Sequence, residues 1–325
     1  MDNETKTKKK RFNIFDLQKD GKGVEKGEVK TPNFKNFFIY FGRSFSRLLN
    51  VNLMFTFFCL PLFFALLAST RWFDQTVQDV AHPLASALNG LLTAGEYNPV
   101  TMSLYGVYGI RNGLAAQTSV FSTVLYCLAG LTVFTWGYAN CGLAYTLRNM
   151  QRGEPVFVWS DFFRTAKKNA VQGLAVGVLD LAVFALIYYD IQVYSYNASK
   201  SIFSFLYIIM LFLFAVYTVM RMYIYPMLVT FDLKTFKLFK NAFIFTFVAL
   251  GRNVLGLIGI ILAIAINMFI FWVFIPLGIV LPFVLTVAVI GYISVYVAYP
   301  KIKEIMIDPY QAENGEDPDD AGSDE

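Results

Sequence analysis

The stretch VLGLIGIILAIAINMFIFWVFIPLGIVLPFVLTVAVIGYISVYVA, residues 254–298, contains no Asp, Glu, Lys, Arg or His. An apolar helix needs about 20 residues to cross a bilayer, so a run of this length is too long for one span and suits two. Pro276 and Gly278 interrupt it and offer a turn between two antiparallel spans. A re-entrant pair is the alternative for the same block. Working outward, four more runs have the length and composition of a span, at roughly 51–69, 119–141, 171–190 and 202–224. The block itself divides into 254–274 and 276–298. The expected fold is therefore all-α: a polytopic membrane protein of six transmembrane helices.

Composition agrees. Hydrophobic residues make up 56% of the 325 positions and charged residues 15%. Soluble domains carry roughly 45–50% apolar and about 25% charged residues, so this chain has more apolar surface than one water-soluble core can hide. The first apolar run begins too late for a cleavable signal peptide.

Charge sets the orientation. Lys and Arg crowd the segment before the first span, Lys8, Lys9, Lys10 and Arg11 among them. Between the second and third spans lie Arg148, Arg152, Arg164, Lys167 and Lys168. Between the fourth and fifth lie Arg221, Lys234, Lys237, Lys240 and Arg252. The alternate connections carry Arg71 and Arg111, then Lys200 alone, then no base at all. Basic loops stay in the cytoplasm, so both termini are expected there, in a multi-pass protein of the cell membrane. The expected organisation is a basic cytoplasmic tail over 1–31, a membrane domain over 32–300 with an exoplasmic segment at 70–118, and an acidic cytoplasmic tail over 301–325. The tails read as solvated, with the bilayer as the basic tail's neighbour. No domain or aromatic platform accompanies the charge, so nucleic acid is not an expected partner.

Each odd-numbered span has a basic, amphipathic lead-in. Phe34, Phe37, Phe38, Phe41 and Phe45 precede the first, with Thr31 and Pro32 as cap and first turn. Asp161 leads into Phe162, Phe163 and Ala166 before the third. Asp232 leads into Leu233, Phe236, Phe239 and Phe243 before the fifth. These read as cytoplasmic interfacial helices, rings in the acyl boundary and cations toward headgroups. Lys35, Lys168 and Lys240 are each followed by Asn. That suggests three units, each an interfacial helix and a hairpin of spans, with the three lysines as candidate contacts to partners or lipid.

Chemistry-bearing residues are few. Asp180 falls mid-way along the third span, where an ionisable group marks a functional site by default. Asn140, Asn267 or tyrosines are candidate hydrogen-bond partners. Burial without a cation would leave Asp180 neutral, either as a helix–helix tether or as a proton or substrate group. Arg148, Arg152, Glu154 and Arg221 flank span ends, where snorkelling is the default for arginine. Asp161 and Asp232 are candidate caps and partners for those arginines. The exoplasmic segment holds Arg71, Asp74, Asp79, His82 and Glu96. Its residues 72–92 read as one amphipathic helix, or two broken at Pro83, and Gly95 to Pro99 as a turn. It is either a cap over the spans or a docking surface. His82 lacks companion ligands for a metal, and Cys59, Cys127 and Cys141 read as apolar packing residues. There is no phosphate-binding loop, zinc-protease motif or nucleophile elbow. No cofactor and no catalytic set is expected.

Gly142–Glu154, ending in Leu147-Arg148-Asn149-Met150-Gln151-Arg152-Gly153-Glu154, runs on into Phe162-Phe163-Arg164-Thr165-Ala166-Lys167-Lys168-Asn169. With Asn52-Leu53, Leu60-Pro61 and Phe239-Lys240-Asn241-Ala242, this resembles the YesL family of bacterial membrane proteins over about 34–300. The long connection between the first two spans departs from the family pattern. The resemblance implies a non-catalytic accessory membrane subunit of an oligosaccharide ABC import system, with ABC permease subunits and an extracellular sugar-binding protein as partners. The Glu-Ala-Ala-type coupling signature of the permease itself is absent. A self-contained transporter or channel for a small solute, with Asp180 and Asn267 lining a polar path, and a membrane scaffold are the alternatives.

Overall fold

The computed structural model describes residues 33–78, 84–95, 98–108 and 114–314. Both chain ends, with the Thr31–Pro32 cap, and Asp79, His82, Pro83, Glu96 and Arg111 lie outside the described residues.

The protein is an all-α polytopic membrane protein. Five helical stretches are long and apolar enough to cross a bilayer, and a bent helix pair supplies a sixth. That pair is α1 (Phe34–Phe58) and α2 (Leu60–Ser69), inclined at 60°. The amphipathic lead-in and the start of the first span are thus one helix. The break falls at Cys59 rather than between them, because Pro61 in the first turn of α2 has no N–H to continue the ladder.

Next comes a two-stranded antiparallel ribbon, β1 (Gln75–Gln78) with β2 (Leu114–Gln117), enclosing α3 (Leu84–Thr93) and α4 (Pro99–Tyr108). The helix expected over 72–92 is therefore confined to its second half. Thr76 and Val77 are β-branched and join the ribbon instead. α3 packs on α4, and among the described residues neither packs extensively on a spanning helix.

The second span joins α5 (Val120–Ala129) to α6 (Thr132–Arg152). Then follow α7 (Val158–Lys168), α8 (Ala170–Tyr196), α9 (Ser201–Leu228), α10 (Thr235–Val248) and α11 (Leu250–Val273). The last span comprises α12 (Ile275–Leu281), a π-helical turn Pro282–Thr286 and α13 (Val287–Ile302). Helix runs on through a second π turn, Lys303–Ile307, and α14 (Asp308–Asn314), so the boundary expected at 300 falls inside a continuing helix.

The 254–298 block is a hairpin, as expected, but it turns at Phe274, whose backbone is extended, with Pro276 opening the return helix. Gly278 presses against the backbone of Phe271, where a Cβ would collide. Asn267 bridges the two arms, donating to the Gly278 carbonyl at 3.3 Å and accepting from Thr286 Oγ1 at 2.8 Å.

α6 is the hub, packed against α1, α7, α8, α9 and α13. Its contact with α8 is the closest in the bundle. Gly137 lies directly on Gly173 and Gly177, and a Cβ on Gly137 would run into the Gly173 carbonyl. Small residues one turn apart let backbones meet this way in membranes, where no hydrophobic force drives helices together.

The amphipathic helices are partly as expected. α7 and α10 are separate elements, each joined to its span by one residue, Asn169 and Ala249, in nearly the same conformation (φ −102°, ψ 18° and φ −105°, ψ 32°). Phe162 is fully buried beneath Gly142 and stacked on Phe58, so this ring belongs to the bundle and not to the acyl boundary. Trp159 and Phe163 on α7 and Phe236 and Phe243 on α10 are exposed. The Lys-Asn pairs do not mark equivalent places. Lys35 is in the first turn of α1, Lys168 ends α7 and Lys240 sits within α10, all three exposed.

Candidate functional site

Three helices bring their polar faces together inside the bundle. On α6, Trp136 and Asn140 are one turn apart. On α8, so are Asp180 and Phe184. On α9, Tyr217, Arg221 and Tyr225 fall on consecutive turns. The Gly137–Gly173–Gly177 approach draws α6 and α8 close enough for the first two faces to touch.

Asp180 is completely buried. Its Oδ2 accepts from the Trp136 indole N–H at 2.8 Å, the Tyr225 hydroxyl at 2.8 Å and Arg221 Nε at 2.9 Å. Its Oδ1 accepts from the Tyr217 hydroxyl at 2.8 Å. Arg221 Nη2 donates to Asn140 Oδ1 at 3.1 Å, and the Asn140 amide donates to the Trp136 carbonyl at 2.8 Å. The guanidinium lies 5.1 Å from the Phe184 ring centre and 5.2 Å from that of Trp136. A charge pair in the bilayer interior is tolerated when its remaining hydrogen-bonding capacity is also met, and four donors on one carboxylate meet it.

This corrects the sequence reading twice. Asp180 does have a cation, so the premise for a neutral carboxyl fails. Arg221 is that cation and not a snorkelling anchor: α9 continues to Leu228, which places Arg221 two turns inside the helix. Asn140 joins the cluster, as one expected partner of Asp180, through Arg221. Asn267 belongs to the hairpin and shares no path with Asp180.

The cluster forms one wall of a cavity of 630 Å³. The opposite wall comes from α2, the π turn and α13, including Leu62, Phe63, Leu66, Phe283 and Val287. The 60° bend makes this space, because it turns α2 onto α5 and away from the line of α1.

Asn52, fully buried on α1, holds the π turn in place. It accepts from the Ala288 N–H at 2.7 Å and donates to the Pro282 carbonyl at 3.0 Å, while Thr56 donates to the Phe283 carbonyl at 3.1 Å. Interrupted helix in a membrane needs such substitutes for lost ladder bonds.

The remaining candidates gather at one end of the bundle. Arg148 is buried and does not snorkel. Its Nη1 donates to Thr230 Oγ1 at 2.8 Å and to the Val229 carbonyl at 3.4 Å, tying α6 to the end of α9. Arg152 pairs with Glu154 at 2.8 Å across Gly153, which caps α6 with φ +73°. The Arg-Gly-Glu element is thus a left-handed helix cap. Asp161 accepts from the Phe157 N–H at 2.8 Å, capping α7, and faces Arg164 at 3.5 Å rather than the span-end arginines. Asp232 does not cap α10, whose N-cap Lys234 has no side-chain cap bond. Arg252 reaches the Tyr296 and Val297 carbonyls at 3.0 and 3.2 Å, next to Pro300, which cannot donate to the Tyr296 carbonyl. Asn253 accepts from the Tyr223 hydroxyl at 2.6 Å and caps α10. Tyr296 also donates to the Asn33 carbonyl at 2.8 Å, so the first described residues sit at this same end.

At the opposite end, Asp74 accepts from the Ser119 N–H at 3.2 Å, joining α2 to α5. Hydrogen bonding to Ser122 and Ser119, with Arg71 nearby, holds its carboxyl below the ordinary carboxylate value.

Tyrosine was an expected partner type for Asp180, and Tyr217 and Tyr225 fill that role; sequence reasoning did not single out their positions, gave Asn52 no structural role, and missed Trp136 and Asn253. The spacing Tyr217-x-x-x-Arg221-x-x-x-Tyr225 was the available signal.

Fold and site together define a multi-pass membrane protein with a buried ion pair beside an intramembrane cavity. Residues 118–191 match a family described as "Protein of unknown function, DUF624", the family that contains YesL-like proteins. The matched stretch spans α5 to α8 and includes Trp136, Asn140, Arg148 and Asp180, but not Arg221. No match was found among curated proteins or among solved structures.

Proposed function

We propose that the protein is a non-catalytic accessory subunit of an oligosaccharide import system in the cell membrane, with its basic end and both termini in the cytoplasm. The observation that carries this is the α3–α4 hairpin. Among the described residues it makes no extensive contact with the spanning helices, and it exposes Val100, Leu104 and Val107 on one helical stripe. Apolar surface of this kind outside the spans marks a contact with another protein. Its expected partners are the ABC permease subunits or the extracellular sugar-binding protein. The basic stripes of α7 and α10 face lipid headgroups or partners on the other side.

The cavity supports an accessory rather than a sugar-conducting role. Its lining is chiefly aliphatic and aromatic, and a sugar there would leave most of its hydroxyls without partners. Pull-down from native membranes tests the reading. Permease or sugar-binding subunits should copurify, and the triple change Val100→Asp, Leu104→Asp, Val107→Asp should release them while the protein stays monodisperse. Recovery of the protein alone from gently solubilised membranes would reject it.

A second reading, a transporter for a small solute, is favoured by the broken first span and the π turn, since interrupted helices line the binding sites of many transporters. Flux into proteoliposomes of the purified protein, lost in Asp180→Asn, would establish it over the first.

A further inference from the structure

The polar groups on the cavity wall are not equally free. Thr56, Thr218 and Ser294 each donate their hydroxyl proton to a backbone carbonyl. Asn140 donates to the Trp136 carbonyl, and Trp136 and Tyr225 donate to Asp180. Arg221 differs. Its Nε and Nη2 are engaged, its Nη1 has no hydrogen bond among the described residues, and a quarter of its side chain is exposed, at 25%, on the cavity wall. Unspent donor capacity on this wall is thus greatest at Arg221, which borders a largely apolar space.

The charge of that point is already matched. Arg221 and Asp180 form a pair at 2.9 Å. A second carboxylate or a phosphate would share the cation with Asp180 and lose its own hydration in low dielectric. A neutral oxygen acceptor would take the free N–H groups without that penalty. The rest of the lining, from Leu62 and Leu66 across to Val287 and Ile290, asks for a hydrocarbon. A volume of 630 Å³ lies within the roughly 300–1,000 Å³ of small-molecule sites.

We infer that the cavity binds an uncharged amphiphile, its carbonyl or ester oxygen on Arg221 and its apolar tail between α2 and α13. This stands apart from the accessory-subunit reading and holds or fails without it. Two sources offer the chemistry: a free neutral amphiphile, or a bilayer lipid presenting a chain ester.

Trp136, on the wall itself, gives the test. The other three tryptophans, Trp72, Trp159 and Trp272, are all strongly exposed and can be changed to Phe. The resulting single-tryptophan protein, in phosphatidylcholine nanodiscs, is titrated with methyl dibromostearate, whose bromines quench indole fluorescence. Saturable quenching is expected, about tenfold weaker for dibromo-octadecane, which lacks the acceptor, and for the dibromostearate anion in alkaline buffer. Ser294→Phe narrows the cavity without touching the ion pair and should weaken the saturable component severalfold. Nanodiscs of dibrominated phosphatidylcholine separate the sources. Quenching there that methyl stearate relieves indicates a free amphiphile, and quenching it does not relieve indicates a lipid chain ester. Equal binding of the alkane, tighter binding of the anion, or saturable quenching undiminished by Ser294→Phe in a monodisperse protein would overturn the inference.

Discussion

The α6–α8–α9 wall of the cavity and the α1–α2–α13 wall facing it differ in where their polarity resides. On the first wall the polar groups are side chains, Asp180 and Arg221, matched to each other and to four aromatic or amide partners. On the second the side chains are chiefly apolar, Thr56 and Ser294 apart, and much of the polarity lies in interrupted backbone, at Cys59 and over Pro282–Thr286. Asn52 and Thr56 serve that backbone as Arg221 serves Asp180. In a bilayer no water can take over either task, so both walls are closed by dedicated side chains. The first wall can change only in pairs. The second tolerates a change of side chain so long as its backbone stays supported.

The strongest way to break the first wall is steric. Gly137→Leu sets a side chain against the α8 backbone, and no monodisperse protein should survive size-exclusion chromatography in detergent. Arg221→Met removes one member of the pair and should cost about 3–5 kcal/mol, read as reduced thermal stability. Adding Asp180→Leu should return much of that loss, because the uncompensated charge is gone. On the second wall, Asn52→Ala strands the Ala288 N–H and the Pro282 carbonyl and should cost about 1–3 kcal/mol in the same assay. Asp74 sharpens the contrast from outside the membrane and gives the smallest effect. Its carboxyl is held below the ordinary value of 3.8, so its contribution is complete above that pH and is lost as pH falls through the lowered value. The α2–α5 junction should loosen to protease below about pH 4 in the native protein, and Asp74→Asn should remove that pH dependence.

Much of the fold was legible because the length of an apolar run follows directly from bilayer thickness. The hairpin in 254–298 and the special status of Asp180 came from that argument alone. What was not legible has several causes. With spans read over 119–141 and 202–224, Arg148 falls beyond a span and Arg221 near the end of one, so both read as anchors at the rim. The helices run on past both, to Arg152 and Leu228, which turns rim residues into interior ones. The break at Cys59 was hidden for a related reason: Pro61 lies in an unbroken apolar stretch, and hydropathy is blind to a missing N–H. The ribbon between the first two spans depends on pairing Gln75 with Gln117, a contact no local pattern announces.

The ion pair also sets an order of assembly. Asp180 leaves the ribosome 41 residues ahead of Arg221. At roughly 5–20 residues per second, the carboxylate waits about 2–8 s for its cation. During that interval only Trp136, on α6, is available among its donors, since Tyr217 and Tyr225 arrive on the same helix as Arg221. Entering lipid alone, α8 would carry that unmatched carboxylate at roughly 2.5–3.5 kcal/mol, a cost that entry together with α9 would spare.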